Sequence, residues 1–299
     1  MQHRVMPALQ TTSPCMAKLD RVGWAEGLCV VAYGLRIGIR VNRAGILPEL
    51  ESRLPPDWTP APAPDVDRLF SLVLGSEDAR VRRYNLVYAG IARRARTLDR
   101  GEALSALEAE LRQAVAAAAR GWVFVHAGVV GWRGRAIVLP GRSGAGKTTL
   151  VAELVRAGAT YHSDEFAVLD RRGRVHPFAK PLSIRGEGGV AVSTPVAALG
   201  GRAGEGPLRP ILVALAHHRP GARFRPARLS PGQSLLAMLA HTVPVRRRPK
   251  ASLHALQAAL SRALVMKGAR GEAARTAQVL LDMADRALRD EESPERGAA

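Results

Sequence analysis

Cysteine is almost missing from this chain: its 299 residues include only Cys15 and Cys29. These form no C-x-x-C pair and no metal-ligand spacing, which excludes a disulfide scaffold or a zinc module and fits a reducing, cytoplasmic setting. Aromatic residues make up only 4%, so aliphatic side chains and alanine must fill the core. Lysine is scarce too, at Lys18, Lys147, Lys180, Lys250 and Lys267, so almost all of the 44 basic residues are arginine. No segment approaches the ~18 consecutive apolar residues of a membrane span, and no membrane association is expected. The N-terminal MQHRVMPALQTTSPC lacks the apolar centre of a signal peptide. Met16 offers a second start, and residues 1–16 are expected to be disordered.

What is present fits a globular protein of one large domain or two smaller ones, with 47% hydrophobic residues. The formal charge of +18 invites a nucleic-acid reading. The arginines, however, are scattered along the whole chain. The longest basic cluster, Arg246-Arg247-Arg248 with Lys250, reads as a solvated loop, or as a surface for an acidic protein or peptide. No nucleic-acid partner is expected.

The strongest local signal is GRSGAGKTTL, residues 141–150. From Gly141 to Thr148 it reads G-x-x-x-x-G-K-T, a phosphate-binding loop pattern. Glycines at 141, 144 and 146 let backbone N–H groups approach phosphate oxygens. Lys147 would reach the outer phosphates, and the Thr148 hydroxyl would ligate Mg²⁺. The residues expected to hold a nucleotide are Gly141, Arg142, Ser143, Gly144, Ala145, Gly146, Lys147, Thr148 and Thr149. The context agrees: the apolar run 135–140 predicts a strand before the loop. Leu150, Val151, Leu154 and Val155 recur at helical spacing after it, with Gly158 as a stop.

Along the rest of the chain, runs at 30–33 and 35–41 predict strands around Gly34, and 43–54 a short helix stopped by Pro55-Pro56. Residues 57–65 form a Pro-rich connector. Strands are predicted at 68–74, 84–89 and 91–98. A capping box of Asp99 with Glu102 opens a helix whose apolar face is Leu104, Leu107, Leu111, Val115 and Ala118, ended by Gly121. Residues 122–131 and 134–139 predict strands leading into the loop. Residues 186–209, rich in Gly and Pro, predict a mobile loop, and 211–218 a buried strand. Helices are predicted at 234–241, 250–268 and 272–290. These readings divide the chain into 1–16, a β-rich module with a terminal helix over 17–118, a second domain over 119–292, and a tail over 293–299.

Phosphoryl transfer needs acids as well as a phosphate cradle. Asp164 and Glu165 lie seventeen and eighteen residues after Lys147. Neighbours in an extended strand point to opposite faces, so both can serve one site only at a strand end or kink, which His162-Ser163 would provide. His126, on the strand before the loop, and Arg185 are further candidates for contact with a phosphoryl group.

HAGVVGWRGRAIVLPGRSGAGKTT, then Ser163-Asp164-Glu165, then Ser183-Ile-Arg-Gly together resemble the C-terminal catalytic domain of the HPr kinase/phosphorylase family. The resemblance is specific over residues 122–187. It implies an α/β fold: a P-loop kinase domain of the HPr kinase/phosphoenolpyruvate carboxykinase-like type, preceded here by a smaller β-rich α+β module. It implies ATP and Mg²⁺ as cofactors, a Ser or Thr hydroxyl of a small protein or peptide as acceptor, and a homo-oligomer. Carried over, Thr148 and one acid, assigned to Asp164, hold Mg²⁺. Glu165 acts at the acceptor hydroxyl, and His126 and Arg185 support the transferred group; the two acids can exchange these parts. Two residues depart from the family pattern. Glu165 replaces a second Asp, and Ser183 replaces the carboxylate before I-R-G unless Glu187 substitutes for it. Both count against the reverse, phosphorylase reaction and against HPr as substrate. They bring the chain nearer to divergent HPr-kinase-related proteins, some of which phosphorylate precursor peptides of natural products. The alternatives are a P-loop ATPase or small-molecule kinase, and a nucleotide-binding switch without transfer. No N-K-x-D tract for guanine selection is present, and the gap before the acids is too short for an ABC-type signature.

Overall fold

A computed structural model describes residues 17–61, 65–75, 83–142, 144–185 and 191–292, the side chains of Ala17, Lys18, Arg185 and Ala191 excepted. The expected disorder of residues 1–16 and the tail over 293–299 lie outside the described residues. The chain is mixed α/β and divides into two compact units, Met1–Gly121 and Trp122–Ala299.

The first unit begins with the short helix α1 (Ala17–Asp20) and the hairpin β1 (Glu26–Ala32) and β2 (Leu35–Val41). Then come α2 (Leu47–Glu51), β3 (Thr59–Pro60), β4 (Arg68–Val73), β5 (Asn85–Ala89), β6 (Ala92–Thr97) and α3 (Arg100–Ala118). The strands form one sheet in the order β3-β1-β2-β4-β5-β6. The α3 helix packs on β4, β5 and β6 through Leu104, Leu107, Leu111 and Val115, all buried. Asp99 caps it by accepting from the Glu102 N–H at 2.7 Å. The expected box closes only halfway, because the Glu102 carboxylate turns to the Thr97 hydroxyl instead.

The second unit contains β7 (Val123–Trp132), β8 (Arg135–Pro140), α4 (Lys147–Arg156), β9 (Thr160–Ser163), β10 (Phe166–Leu169), β11 (Val175–His176), β12 (Leu182–Arg185) and β13 (Ala191–Thr194). It continues through β14 (Arg209–His218), β15 (Ala227–Arg228), α5 (Pro231–Leu239), α6 (Pro249–Leu260), β16 (Leu264–Arg270) and α7 (Ala273–Glu292). Its sheet runs β11-β10-β7-β8-β14-β16-β15, with β9 also on β7; β12 and β13 form a separate hairpin. Strand β8 lies parallel to β14, and β14 parallel to β16. Side chains alternate across the sheet with period two. Val130, Ile137 and Leu139 pack beneath α4 and α7, with Leu150, Leu154 and Leu280. Val125, Ala127, Val129 and Val138 pack on the opposite face with Met238 of α5 and Leu256 of α6. The sheet is thus the middle of three layers.

Three expectations are corrected. The helix predicted over 250–268 ends at Leu260, and Leu264–Arg270 is the strand β16. Its Ala, Gly and Lys residues have little strand propensity, but pairing in register with β14 from Leu212↔Leu264 overrides that. The helix predicted over 43–54 shrinks to α2. The stretch 186–209, expected as a loop, contains β13 and a 3₁₀ turn at Val196–Leu199 in its described part. Within the described residues, no helix is long and apolar enough to cross a membrane.

Helix α4 approaches β7 closely because position 128 carries no side chain. A Cβ there would lie 2.6 Å from Cγ2 of Val151, which is fully buried. Gly128→Ala should therefore cost about 1–3 kcal/mol through overpacking, measured as a lower urea midpoint with an unchanged slope.

Candidate functional site

The site grows from the junction of β8 and α4. Strand β8 delivers the chain to Gly141, whose N–H donates to the His126 carbonyl of β7 at 3.1 Å. Gly144 and Gly146 both lie in the left-handed region, at φ 80° and 73°. Gly146 is the N-cap of α4 and supplies no capping side chain, and no acid occupies the first turn. Among the described residues no side chain caps the first N–H groups of the helix, and with the positive end of its dipole this is an arrangement suited to an anion. Lys147 folds back over the loop, its ammonium donating to the carbonyls of Gly141 at 2.9 Å and Arg142 at 2.8 Å. Burial pushes its pKa below the usual lysine range, against the pull of Asp164 and Glu165.

Asp164 and Glu165 occupy the break between β9 and β10. Both strands pair with β7, β10 along Val123–His126 and β9 along Val129–Gly131. The break is held by Ser163, whose hydroxyl accepts from the N–H groups of Glu165 at 3.1 Å and Phe166 at 3.0 Å. The Glu165 carbonyl accepts from Ala127 N–H at 3.1 Å. This local turn supplies the kink that lets consecutive acids serve one place.

Asp164 is only 6% exposed. Its carboxylate accepts from the Thr148 hydroxyl at 3.0 Å and from the Tyr161 hydroxyl at 3.0 Å. Burial and the adjacent carboxylate push the Tyr161 pKa far up, so its proton stays in place. Lys180 lies between the two acids, its Nζ 3.7 Å from Asp164 Oδ1 and 3.5 Å from Glu165 Oε2. The donors Thr148 Oγ1 and Asp164 Oδ2 are hard oxygens of the kind Mg²⁺ takes when a nucleotide supplies the rest of its shell. No cluster of three or more metal-ligating side chains occurs among the described residues.

The ring of His126 packs on Phe166 at 4.9 Å between centroids. Burial holds it below the usual histidine range, and the nearby Lys147 ammonium lowers it further, against Glu165. Arg185 belongs to β12, but its side chain lies outside the described residues, as do Ser143 and Glu187. Ser183 is exposed on β12 and pairs with Ser193.

Four further residues were not singled out from the sequence. Tyr161 and Lys180 complete the surroundings of Asp164. The backbone carbonyl of His241 accepts from the His126 N–H at 2.8 Å. Arg270, 3% exposed at the end of β16, donates to the carbonyls of Gly146 at 2.9 Å and Gly271 at 3.0 Å. A Cβ at Gly146 would meet its Nη2 at 2.4 Å. Only the scarcity of lysine could have pointed to Lys180; the arginine excess conceals Arg270.

Three histidines, His126, His162 and His241, have pKa values lowered chiefly by burial from the ordinary 6.5. In the folded chain they resist protonation, so the unfolded chain binds more protons as pH falls. Their stabilisation is full above pH 6.5 and declines as pH drops through the lowered folded values. The urea midpoint should be lower at pH 5 than at pH 7.5, and the difference should shrink in His162→Gln.

No protein-family model matches the chain, and no curated protein does either.

Proposed function

We propose that the chain is an ATP-dependent kinase, similar to HPr kinase, that transfers the γ-phosphoryl group of ATP to a Ser or Thr hydroxyl of a small protein or peptide. The observation that carries this reading is the convergence of an uncapped helix N-terminus, the Thr148–Asp164 pair at 3.0 Å, and Glu165 at the same strand break. The sheet order and the helices on both its faces are compatible with a P-loop kinase domain of the HPr kinase/phosphoenolpyruvate carboxykinase-like type. The first unit would then be the smaller β-rich module.

In this reading the loop from Gly141 to Thr149 binds the nucleotide phosphates. Lys147 exchanges its two loop carbonyls for phosphate oxygens. Thr148 and Asp164 hold Mg²⁺. Bound Mg·ATP supplies the transferable phosphoryl group and neutralises its charge. Glu165 accepts the proton of the acceptor hydroxyl as the new O–P bond forms and the bond to the leaving ADP oxygen breaks. A neutral His126 supports the transferred group as a hydrogen-bond partner, and Arg185 as a cation. Arg270, through the Gly146 carbonyl, positions the turn that starts α4.

A nucleotide-binding switch is the second reading, and Lys180 favours it. Its ammonium already compensates both acids, so it must withdraw before either acts on metal or hydroxyl.

The test is incubation with γ-labelled ATP, Mg²⁺ and a panel of small carrier proteins and precursor peptides, read by mass spectrometry. One phosphorylated Ser or Thr is expected. Asp164→Asn and Glu165→Gln should each lower transfer by roughly 10²-fold or more while ATP binding persists. Lys147→Ala should abolish transfer. Unchanged turnover in both acid variants would remove the acids from the reaction, and tight ATP binding without any labelled acceptor would favour the switch.

A further inference from the structure

Several arginines of the first unit meet carboxylates: Arg36 of β2 meets Asp65 at 2.8 Å and Asp67 at 3.5 Å, and Arg40 of β2 meets Asp20 at 2.5 Å. Beside α3, arginine and glutamate pair as well. Arg94 meets Glu110 at 3.2 Å, Arg53 meets Glu108 at 3.4 Å, and Arg112 meets Glu108. On the sheet face that α3 covers, the row Leu72, Val87 and Ala95 is buried at Leu72 and Val87 and half-buried at Ala95. The neighbouring row, Val73, Leu86 and Arg96, points the other way. A register shift leaves Arg94 as the extra residue of β6, which keeps Arg93 and Arg96 together on this opposite face.

That face bears a groove of about 710 Å³. Its floor is apolar, from Val73 and Leu86, and Val22 and Tyr84, each 40% exposed, stand beside it. Arg43, Arg83, Arg93 and Arg96 line it, and no Asp or Glu does so among the described residues. Arg43 donates to the Gly75 carbonyl at 2.6 Å. Among the described residues, Arg83, Arg93 and Arg96 have no carboxylate within ion-pairing distance. The Arg96 guanidinium lies 3.7 Å over the Tyr84 ring, which fixes its position at the rim. Strand β6 is the last strand of the sheet, so its outer row of backbone N–H and C=O groups has no partner strand among the described residues.

We propose that this groove and the β6 edge dock an extended, acidic polypeptide segment. A strand laid along β6 would complete the backbone hydrogen bonds, as sheets do when they take up a peptide. Its side chains at alternate positions would lie on the groove face, where carboxylates would meet Arg93 and Arg96, and the intervening side chains would fall on the opposite face. Arginine on an edge strand also guards against edge-to-edge pairing. Arg94 meets that need with its own counter-charge, whereas several like charges over an apolar floor repel one another until an anion arrives. A single-stranded nucleic acid is disfavoured because Tyr84, the one aromatic ring among the groove's described lining residues, already carries Arg96 on one face and leaves little for bases to stack on. The inference goes beyond the kinase reading and does not depend on it.

The experiment uses the full chain without nucleotide and measures fluorescence anisotropy of a labelled nonapeptide of alternating Glu and Val in about 0.15 M salt. Micromolar binding is expected. Arg93→Glu with Arg96→Glu should weaken it by roughly tenfold or more, and Arg93→Lys with Arg96→Lys should retain most of it. Arg246→Glu with Arg247→Glu, the same charge change elsewhere, should leave it intact. Circular dichroism checks that each variant is folded. Absence of binding, an equal loss in the Arg246/Arg247 variant, or tighter binding of an oligothymidylate of equal charge would each overturn the proposal.

Discussion

The hydrogen bond from Thr148 to Asp164 is the constraint on which the second unit depends. A carboxylate only 6% exposed costs several kcal/mol unless its charge is answered. Here two hydroxyls, from Thr148 and Tyr161, donate to it, and the Lys180 ammonium lies beside it. The positive end of α4 adds to this, because Thr148 is in its first turn. The same contacts tie three pieces of chain together: the start of α4, the end of β9, and the segment leading into β12. Geometry at the helix N-terminus is therefore set by the need to compensate one buried charge.

The strand break gives that charge a neighbour. In an unbroken strand Asp164 and Glu165 would point to opposite faces, and one of them would enter an apolar core. Ser163 prevents this by satisfying two N–H groups that would otherwise lack ladder partners at the break. Strand β7 bridges the gap, pairing with β10 at one end and β9 at the other. A small polar residue in the right place thus converts a continuous strand into a site for two acids.

This explains which parts could be read from the sequence. The glycine spacing of the loop, the apolar run before it and the helical spacing after it are local signals, and the strand–loop–helix they predict is present. The need for a kink near Ser163 followed from the period of a strand alone. Lys180, Tyr161 and Arg270 were not legible, because nothing local distinguishes them; they become part of the site only when β16 and the segment after β11 are brought to α4. Strand β16 was misread for the same reason. Its sequence favours a helix, and its strand form comes from β14 on one side and β15 on the other. In the first unit, strands β4 to β6 and the face of α3 were legible from alternation and from spacing of three and four. Which arginines would find partners was not.

The charge of the chain is therefore better understood by location than by total. Where arginine is buried it is held by oxygens: Arg40 by Asp20 and the Ser71 hydroxyl, Arg270 by two carbonyls. Where it lies beside α3 it is matched by glutamate. In the groove on the other face of that sheet, Arg43 is held by the Gly75 carbonyl, while Arg83, Arg93 and Arg96 have no carboxylate partner among the described residues. A surplus spread evenly over a surface would be a matter of composition and solubility. Several arginines gathered over an apolar floor, with one guanidinium fixed on a tyrosine ring, set a requirement on whatever covers them: the partner must bring negative charge to that face.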